Sequence, residues 1–511
     1  MFDKRTLALY ITLVATVFAR NDWTQPCISG SCSYDTGDGV KTAYSSLALN
    51  GDPSVLSDIT TAAGWEISGC NPGWKTGAAN VVVTCTGSAK QMAHCDHLFQ
   101  GGNAMNKVVR LPQDCGVGPF ARVVRSSQVQ RRDEGGPEMH ALTLDYNFDQ
   151  LPATGNRTLS FNIASLNAPS DVQGQRRRLY PLPRFGSFDK SSTINAPPIH
   201  LTTGIPLFNQ SIDCPAADGG IGFSAALGVN ADVTVDALVS MAFQVSGSIL
   251  PPKLDVFKLT GTLNGSAAVD FDITANAHGS FSTGPIPIFP PVGIPGLDFI
   301  GIFTAGPEFL VNAQLDADLN LEADIKTGVE WTFPNVEVVF PPSQGNSSAQ
   351  AIPGQRPLNL SVGTNVTASG NITGHLIPRV QVGVTILKFA TAQIFVDLDT
   401  SATFGLQAEA GAAASTDGSS STSLSGCAQL DAGVAIRAGA VGAIKPIFDD
   451  GINFTIFSED VNIAKQCFGK PSSKREYVGL LESRHVSHVE KRNLLCPSLG
   501  EGGVLESVLS L

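Results

Sequence analysis

The densest group of side chains that could do chemistry is the run His94-Cys95-Asp96-His97. Two imidazoles and a carboxylate are ligands that suit zinc or copper. The alternative, which we favour, is that Cys95 forms a disulfide bond and its polar neighbours lie at the surface. The sequence contains no H-E-x-x-H, G-x-S-x-G, Walker or C-x-x-C motif. We therefore assign no catalytic residue, no metal ligand and no cofactor.

Acidic side chains offer two further chemistries. A calcium site could be built from the alternating residues Asp316, Asp318, Asn320 and Glu322. Calcium needs six to eight converging oxygen ligands, whereas side chains on one strand face point outward in a row, which disfavours this site. The paired carboxylates of a glycoside hydrolase are set by distance in the fold, not by spacing in the sequence. A secreted polysaccharide-active hydrolase therefore remains an alternative.

Three of the four tryptophans, Trp23, Trp65 and Trp74, lie in the Cys-rich N-terminal part of the chain. Their rings could stack on sugars, as aromatic platforms do. Tryptophans in a small Cys-rich domain can equally form its core, and this is the interpretation we favour.

The N-terminus predicts the compartment. Lys4-Arg5 precede an apolar stretch from Leu7 to Ala19, a pattern typical of a secretory signal peptide over residues 1–19. Crossing a bilayer takes about 20 apolar residues, so we expect no membrane span. We predict a secreted, extracellular or cell-wall protein. N-glycosylation is predicted at eight sequons: Asn156, Asn209, Asn264, Asn346, Asn359, Asn365, Asn371 and Asn453.

The ten cysteines indicate disulfide bonds, as expected in an oxidising compartment. We predict a bond between Cys427 and Cys467, because both flank the last predicted strands. The N-terminal cysteines are left in unassigned pairs, since six cysteines allow 15 connectivities; they are Cys27, Cys32, Cys70, Cys85, Cys95 and Cys115.

Composition narrows the class of protein. The net charge of −12 argues against a nucleic-acid partner, and 42% hydrophobic residues in 511 are ample for a buried core. Basic clusters ending at Arg132, Arg178, Lys474-Arg475 and Arg492 are either solvated loops or dibasic cleavage sites. We predict a signal peptide (1–19), a Cys-rich β module (20–125), a connector with a basic stretch (126–200), a long-stranded β domain (201–469) and a flexible tail (470–511).

Near-strict alternation of apolar and polar residues defines the long-stranded domain. In Phe309–Phe333 the odd positions are largely apolar, whereas most even positions are polar or charged. A helix of period 3.6 would mix these sets, so the pattern predicts a strand. The same pattern marks Ala231–Ser246, Ser266–His278, Leu358–Gly374, Ile394–Ala410 and Ala428–Gly442. Each run is either one very long strand or two strands with a hidden turn. Without crossover helices the sheet must be antiparallel.

The apolar face of these strands is rich in alanine, for example at Ala267, Ala313 and Ala402. Small side chains favour close packing of two sheets, whereas a lipid tunnel needs larger residues around a void. We therefore predict an all-β fold: a long-stranded antiparallel β-sandwich with a small disulfide-rich N-terminal module.

Several segments resemble an uncharacterised family of secreted fungal proteins that carry a domain of unknown function. The similarity covers about residues 23 to 470 and implies secretion and a β-rich body, but no activity. It lies in Ser31-Cys-Ser-Tyr-Asp-Thr-Gly37, Ser57-Asp-Ile-Thr-Thr-Ala-Ala-Gly-Trp65, Cys95-Asp-His-Leu98, Val109-Arg-Leu-Pro112, Pro119-Phe-Ala-Arg-Val123, Gly293-Ile-Pro-Gly-Leu-Asp-Phe299 and Gln466-Cys-Phe-Gly469.

The sequence thus favours a non-enzymatic extracellular or cell-wall-associated binding or structural protein, with cell-wall polysaccharide as a partner. The alternatives are a carrier of a lipid or another apolar ligand and the hydrolase considered above. A filled sheet interior would favour the first, whereas a hollow one would favour the carrier.

Overall fold

A computed structural model gives the fold. It describes residues 21, 23–38, 41–129, 137–153, 157–166, 193–214, 223–354, 359–362, 368–387, 390–414, 420–448, 451–468, 498–499 and 505–506. Near the ends of the longest strands only the backbone is described. The predicted signal peptide, Asn156, Asn365, the dibasic sites and Cys496 lie outside these residues, as does most of the tail.

The chain divides into two compact units. The N-terminal unit comprises Met1–Thr36, Ser46–Phe161 and Ile249–Pro251, and the remainder, here called the body, contains the long strands. Strand accounts for 68% of the structure and helix for 5%, which confirms the predicted all-β class. None of the helices in the described residues has the length and apolar character needed to cross a bilayer.

The N-terminal unit is built from short strands. Its six-stranded sheet has the order β3-β6-β7-β8-β5-β4, and only the β3–β6 pair is parallel. The boundary expected near residue 125 falls within β7, and β8 continues this sheet. The first nine strands are β1 (Ser31–Thr36), β2 (Ser45–Gly51), β3 (Leu56–Asp58), β4 (Trp65–Ser68), β5 (Ala79–Cys85), β6 (Val108–Arg110), β7 (Phe120–Gln128), β8 (Met139–Asp145) and β9 (Leu159–Ser165).

Short helices and disulfide bonds complete this unit. Helix α1 (Ala89–Met92) begins with a capping box, in which Ser88 and Gln91 satisfy each other's backbone N–H groups. The 3-10 helices are Thr61–Ala63, Cys95–Phe99 and Phe148–Gln150, with a fourth at Pro342–Gln344 in the body. Disulfide bonds join Cys27 to Cys32, Cys70 to Cys115, and Cys85 to Cys95.

A buried ion pair holds the start of the unit against its sheet. Arg110 Nη2 lies 2.7 Å from Asp58 Oδ2, with 5% and 0% of the side chains exposed. The same carboxylate accepts the backbone N–H of Cys27, and Arg110 donates to the Gln25 carbonyl. Because a buried charge needs a partner, this pair fixes the N-terminal segment in place.

The body consists of much longer strands. The longest is β17 with 38 residues, so the run Phe309–Phe333 contains no hidden turn. The strands are β10 (Ile194–Asn195), β11 (Ile199–Cys214), β12 (Phe223–Leu250), β13 (Lys253–Ser282), β14 (Ile286–Pro287), β15 (Val292–Gly293), β16 (Leu297–Phe299), β17 (Phe303–Phe340), β18 (Ser348–Gly354), β19 (Asn359–Val362), β20 (Ala368–Ile386), β21 (Ala390–Ala414), β22 (Ser420–Ala443), β23 (Ile452–Phe468), β24 (Ser498–Leu499) and β25 (Leu505–Glu506).

Strand β17 joins the two layers of the sandwich. Its C-terminal part pairs with β13, which continues through β12 to β11. Its N-terminal part pairs with β20, which continues through β21 and β22 to β23. All these pairings are antiparallel, as predicted. The two layers therefore share one strand that is long enough to take part in both.

The apolar faces of the two layers pack against each other. The odd-numbered residues of β12 from Ala231 to Val245 are all buried, as the alternation predicted. The ring of Phe271 on β13 covers Gly374 on β20, where a Cβ atom would overlap it. Large side chains fill the rest, with Phe243 edge-on to Phe303. Small residues opposite large ones give the close sheet-to-sheet approach inferred from the alanine-rich face.

Candidate functional site

The outer face of the body carries the most connected group of titratable side chains. His375 Nδ1 lies 2.7 Å from Asp399 Oδ1, and His375 Nε2 lies 3.4 Å from Asp316 Oδ2. Arg437 Nη1 donates to Asp399 Oδ2 at 3.2 Å. We call Asp316, His375, Asp399 and Arg437 the His375 cluster.

The register of four strands creates this cluster. Asp316 is on β17, His375 on β20, Asp399 on β21 and Arg437 on β22, in the order in which the strands lie side by side. All four occupy the outward phase of their strands, whose neighbouring positions are buried. Cross-strand and diagonal neighbours on one face lie close enough for ion pairs. The cluster therefore links four strands across the sheet.

Electrostatics favour the charged form of the histidine. Burial acts to lower the pKa of His375, but the hydrogen bond and charge of Asp399, with the charge of Asp316, raise it above its ordinary value. Burial likewise acts to raise the pKa of Asp399, yet His375 and Arg437 hold it below its usual range. The two neighbouring acidic residues thus favour the protonated form of the His375 ring.

This arrangement does not suit acid–base catalysis. A general base needs one ring nitrogen free to take a proton from a nucleophile. Both nitrogens of His375 face carboxylates instead. Ser401 lies opposite His375 in the strand register, and the described contacts include no hydrogen bond between them. The geometry supports strand cross-linking rather than hydrolysis.

A second group lies beside this cluster on the same face. Arg379 donates to both carboxylate oxygens of Asp397, at 2.5 and 2.7 Å. Its guanidinium carbon also lies 4.8 Å from the centroid of the half-buried Phe395 ring. Gln381 donates to Glu308 at the adjacent position. An aromatic ring among hydrogen-bonding groups is a combination that can contact sugars.

The His94–His97 run has a different role from the metal site considered above. Cys95 is disulfide-bonded to Cys85, and His97 Nδ1 lies 3.0 Å from the Oγ of buried Ser57. His94 and Asp96 line an open surface depression in the N-terminal unit. Within the described residues, no three His, Cys, Asp or Glu side chains are arranged to hold a metal ion.

Burial disfavours charge around His97. It lowers the pKa of His97, and the charge of Lys107 lowers it further. Burial also lowers the pKa of Lys107 to about 8, against its ordinary value of 10.5. Lys107 Nζ donates to the His97 carbonyl at 2.9 Å. Only 2% of Lys107 is exposed, so a substrate in solution has no direct access to it. Lys107 is therefore part of the packed interior, whereas His97 is half-buried at the edge of the surface depression.

The tryptophans form core rather than a sugar platform. Trp65 and Trp74 are buried, and Trp74 stacks on Tyr146. Trp23 is half-buried, with the guanidinium of Arg110 over its ring at 5.2 Å. The favoured interpretation of these residues thus agrees with their burial.

The remaining predicted positions lie on the body surface. Asp318 is exposed and Asp316 half-buried, while the side chains of Asn320 and Glu322 lie outside the described residues. A disulfide bond joins Cys427 to Cys467. Among the sequons, Asn209, Asn346 and Asn453 are exposed and Asn264 and Asn371 half-buried, so each of these five is open to solvent. The Asn359 side chain is not among those described.

The space between the two layers is nearly filled. The cavity between β12, β13 and β17 on one side and β20, β21 and β22 on the other has a volume of about 40 Å³. It is lined mainly by aliphatic side chains such as Val239, Leu263 and Val382. Ligand pockets usually measure about 300–1,000 Å³. This cavity therefore has no room for a lipid.

Sequence reasoning did not find the His375 cluster. Its members are far apart in the chain, and no local spacing connects them. The available signal was their common outward phase, which becomes informative only once strand order and register are known.

Comparison with known proteins adds one match. A family model described as a domain of unknown function, DUF7223, matches residues 257–469. That range begins within β13 and ends just after β23. No curated protein matches significantly, and no solved structure does. Over residues 257–469 this chain is therefore similar to a domain of unknown function.

Proposed function

We propose that this protein is a non-enzymatic extracellular or cell-wall-associated binding or structural protein. The observation that carries the proposal is the filled interior of the body, with a cavity of only about 40 Å³. Because nothing of ligand size fits in this cavity, we place recognition on the outer surface. Disulfide bonds in both units are compatible with an oxidising, extracellular location.

The outer face supports binding rather than turnover. Its histidine is held between two carboxylates, and Arg379 is paired with Asp397. Amides and carboxylates lie around the Phe395 ring, which is half-buried and partly covered by Arg379. Such groups can hydrogen-bond and stack on sugar rings. We propose cell-wall polysaccharide as the partner and the surface around Phe395 as the contact.

Retention on insoluble wall polysaccharide tests this proposal. Purified protein is mixed with the polysaccharide, and the fraction remaining in the supernatant is measured. We expect depletion of the wild-type protein and at least threefold weaker retention of Phe395→Ala. Leu238→Ala is the matched control, because Leu238 is another outward apolar residue, 53% exposed on β12. Equal retention of both variants would exclude Phe395 as the contact, and no retention of the wild type would exclude the partner.

A turnover assay separates binding from hydrolysis. The same preparation is incubated with a panel of soluble glycans, and reducing ends are counted. We expect no increase over buffer. Release of reducing ends that persists in His375→Gln and Asp399→Asn variants would show an enzyme whose site lies elsewhere.

A further inference from the structure

Edge strands of the described part of the body include β11 and β23. Among the described residues β11 pairs only with β12, and β23 only with β22. Strand β18 comes within 8 Å of β23, but its backbone pairs with β17. Unpaired N–H and C=O groups along a strand form a template for a strand of another chain.

Strand β23 is well suited to such an unwanted pairing. It is 17 residues long, and its inward positions Ile452, Phe454 and Phe457 are only half-buried. Long edges with apolar side chains predict aggregation unless something blocks them. Glu459, an exposed charge in the inward phase, protects one point of this strand. The greater part of the edge needs another protection.

Each edge strand carries one exposed sequon asparagine. Asn209 lies on β11 opposite Gly228, and Asn453 lies on β23 opposite Gly439. Gly228 leaves lateral room on the outer face, whereas the ring of Phe395 covers Gly439. At Gly228 an added Cβ atom would touch nothing within 4 Å. A sugar attached at Asn209 therefore has room beside its strand, and the side chain of Asn453 is itself exposed to solvent.

A sugar at these positions would exclude an added strand. The new strand would lie about 4.8 Å away. Its residue opposite the asparagine would place a Cβ atom about 5 Å from the asparagine Cβ, on the same face. The first sugar ring would occupy that space. We propose that N-linked sugars at Asn209 and Asn453 block edge-to-edge pairing with a second copy of this chain, an inference that rests on the extracellular location proposed above.

Two other sequons provide a matched control. Asn264 is on β13, between β12 and β17, and Asn371 is on β20, between β17 and β21. Both strands are paired on both sides. Removing sugars there changes solubility by a similar amount without opening an edge.

The test compares the double variants N209Q/N453Q and N264Q/N371Q, secreted from a glycosylating host. Their weight-average masses are measured by sedimentation at several protein concentrations. We expect the edge variant to show at least a twofold, concentration-dependent increase in mass and the control to match the wild type. Wild-type masses for both variants would overturn the inference, because opening the edges would then have no effect. An equal increase in the mass of both variants would also overturn it, because general solubility would then explain the result.

Mass spectrometry of glycopeptides tests the role of the edge sugars and the extracellular location separately. Sugar at neither Asn209 nor Asn453, with sugar at Asn264 or Asn371, would overturn this inference alone. Absence of sugar at every sequon would contradict the extracellular location. Enzymatic removal of sugars from the folded wild type covers variants that fail to fold, and it should cause the same association. Adding Thr455→Lys to N209Q/N453Q, which already lacks the Asn453 sequon, should reduce its association again, because Thr455 is at an exposed position of β23.

Discussion

Charged pairs are placed differently in the two units of this protein. Asp58 and Arg110 in the N-terminal unit pair with 0% and 5% of their side chains exposed, whereas Asp272 and Lys326 in the body pair at 49% and 67%. Both pairs join residues that lie opposite each other on paired strands, but only the first is buried and also holds a segment outside the sheet, because Arg110 donates to the Gln25 carbonyl. We infer that the stability of the short-stranded unit depends on buried ion pairs, whereas that of the long-stranded body depends on strand register and packing.

We expect the largest loss of stability when the buried ion pair between Asp58 and Arg110 is broken. Asp58→Asn leaves Arg110 buried without its counter-charge, which typically costs about 3–5 kcal/mol. Asp272→Asn is the control, and an exposed pair is worth about 0–1 kcal/mol. Hydrogen exchange gives the free energy of opening for each unit separately. Similar losses for the two variants would remove the contrast between the units.

Removing one disulfide bond from each unit compares the two units again, because the two bonds close loops of nearly equal length. The bond Cys70–Cys115 closes 45 residues and Cys427–Cys467 closes 40. We expect the double Cys→Ser variant of the first to lower the stability of the whole N-terminal unit by about 2–4 kcal/mol. The second should increase exchange only along β23 and its pairing with β22. Exchange that spreads to β12 and β13 would contradict this.

Packing in the body is tested by two glycines. Gly374→Ala places a methyl group against the Phe271 ring, and overpacking of this kind costs about 1–3 kcal/mol. Gly306→Ala meets nothing within 4 Å and should be neutral or stabilising by up to about 1 kcal/mol. Urea unfolding of the two variants gives both values. A loose interior would tolerate Gly374→Ala as well as Gly306→Ala.

The smallest effects come from pH, and they should have opposite signs. The pKa of His375 is raised in the folded body, so its stabilisation is complete below about pH 6.5 and is lost as the pH rises through the raised pKa. The pKa of His97 is lowered, so the N-terminal unit loses stability as the pH falls below about 6.5. Opening free energies at pH 5.5 and 8 measure both trends. His375→Gln and His97→Gln should each abolish one of them.

The sequence predicted the body far better than the N-terminal unit. The alternation of apolar and polar residues is a local property of the sequence. Which residues of β12 are buried, and that Asp270 points outward, can therefore be predicted from adjacent residues in the chain alone. The run Phe309–Phe333 left one strand or two open, and β17 covers it without a break and extends beyond it at both ends. Strand order is not local, and for this reason the His375 cluster could not be foreseen.

The N-terminal unit resists prediction for a different reason. Its strands β3 and β6 have three residues each, too few to show a period. The partners Asp58 and Arg110 are separated by five further strands and helices in the chain. The burial of Trp65 and Trp74 could be anticipated from residue type, but not the ion pair that organises the segment around Trp23.

Native mass spectrometry of the secreted protein, before and after extraction with organic solvent, tests the central claim most directly. The account predicts a mass equal to the processed polypeptide with its sugars, and no lipid or other apolar molecule released by the solvent. One apolar ligand per chain, lost on extraction, would show that the two sheets enclose a binding site and would contradict the packed body described above.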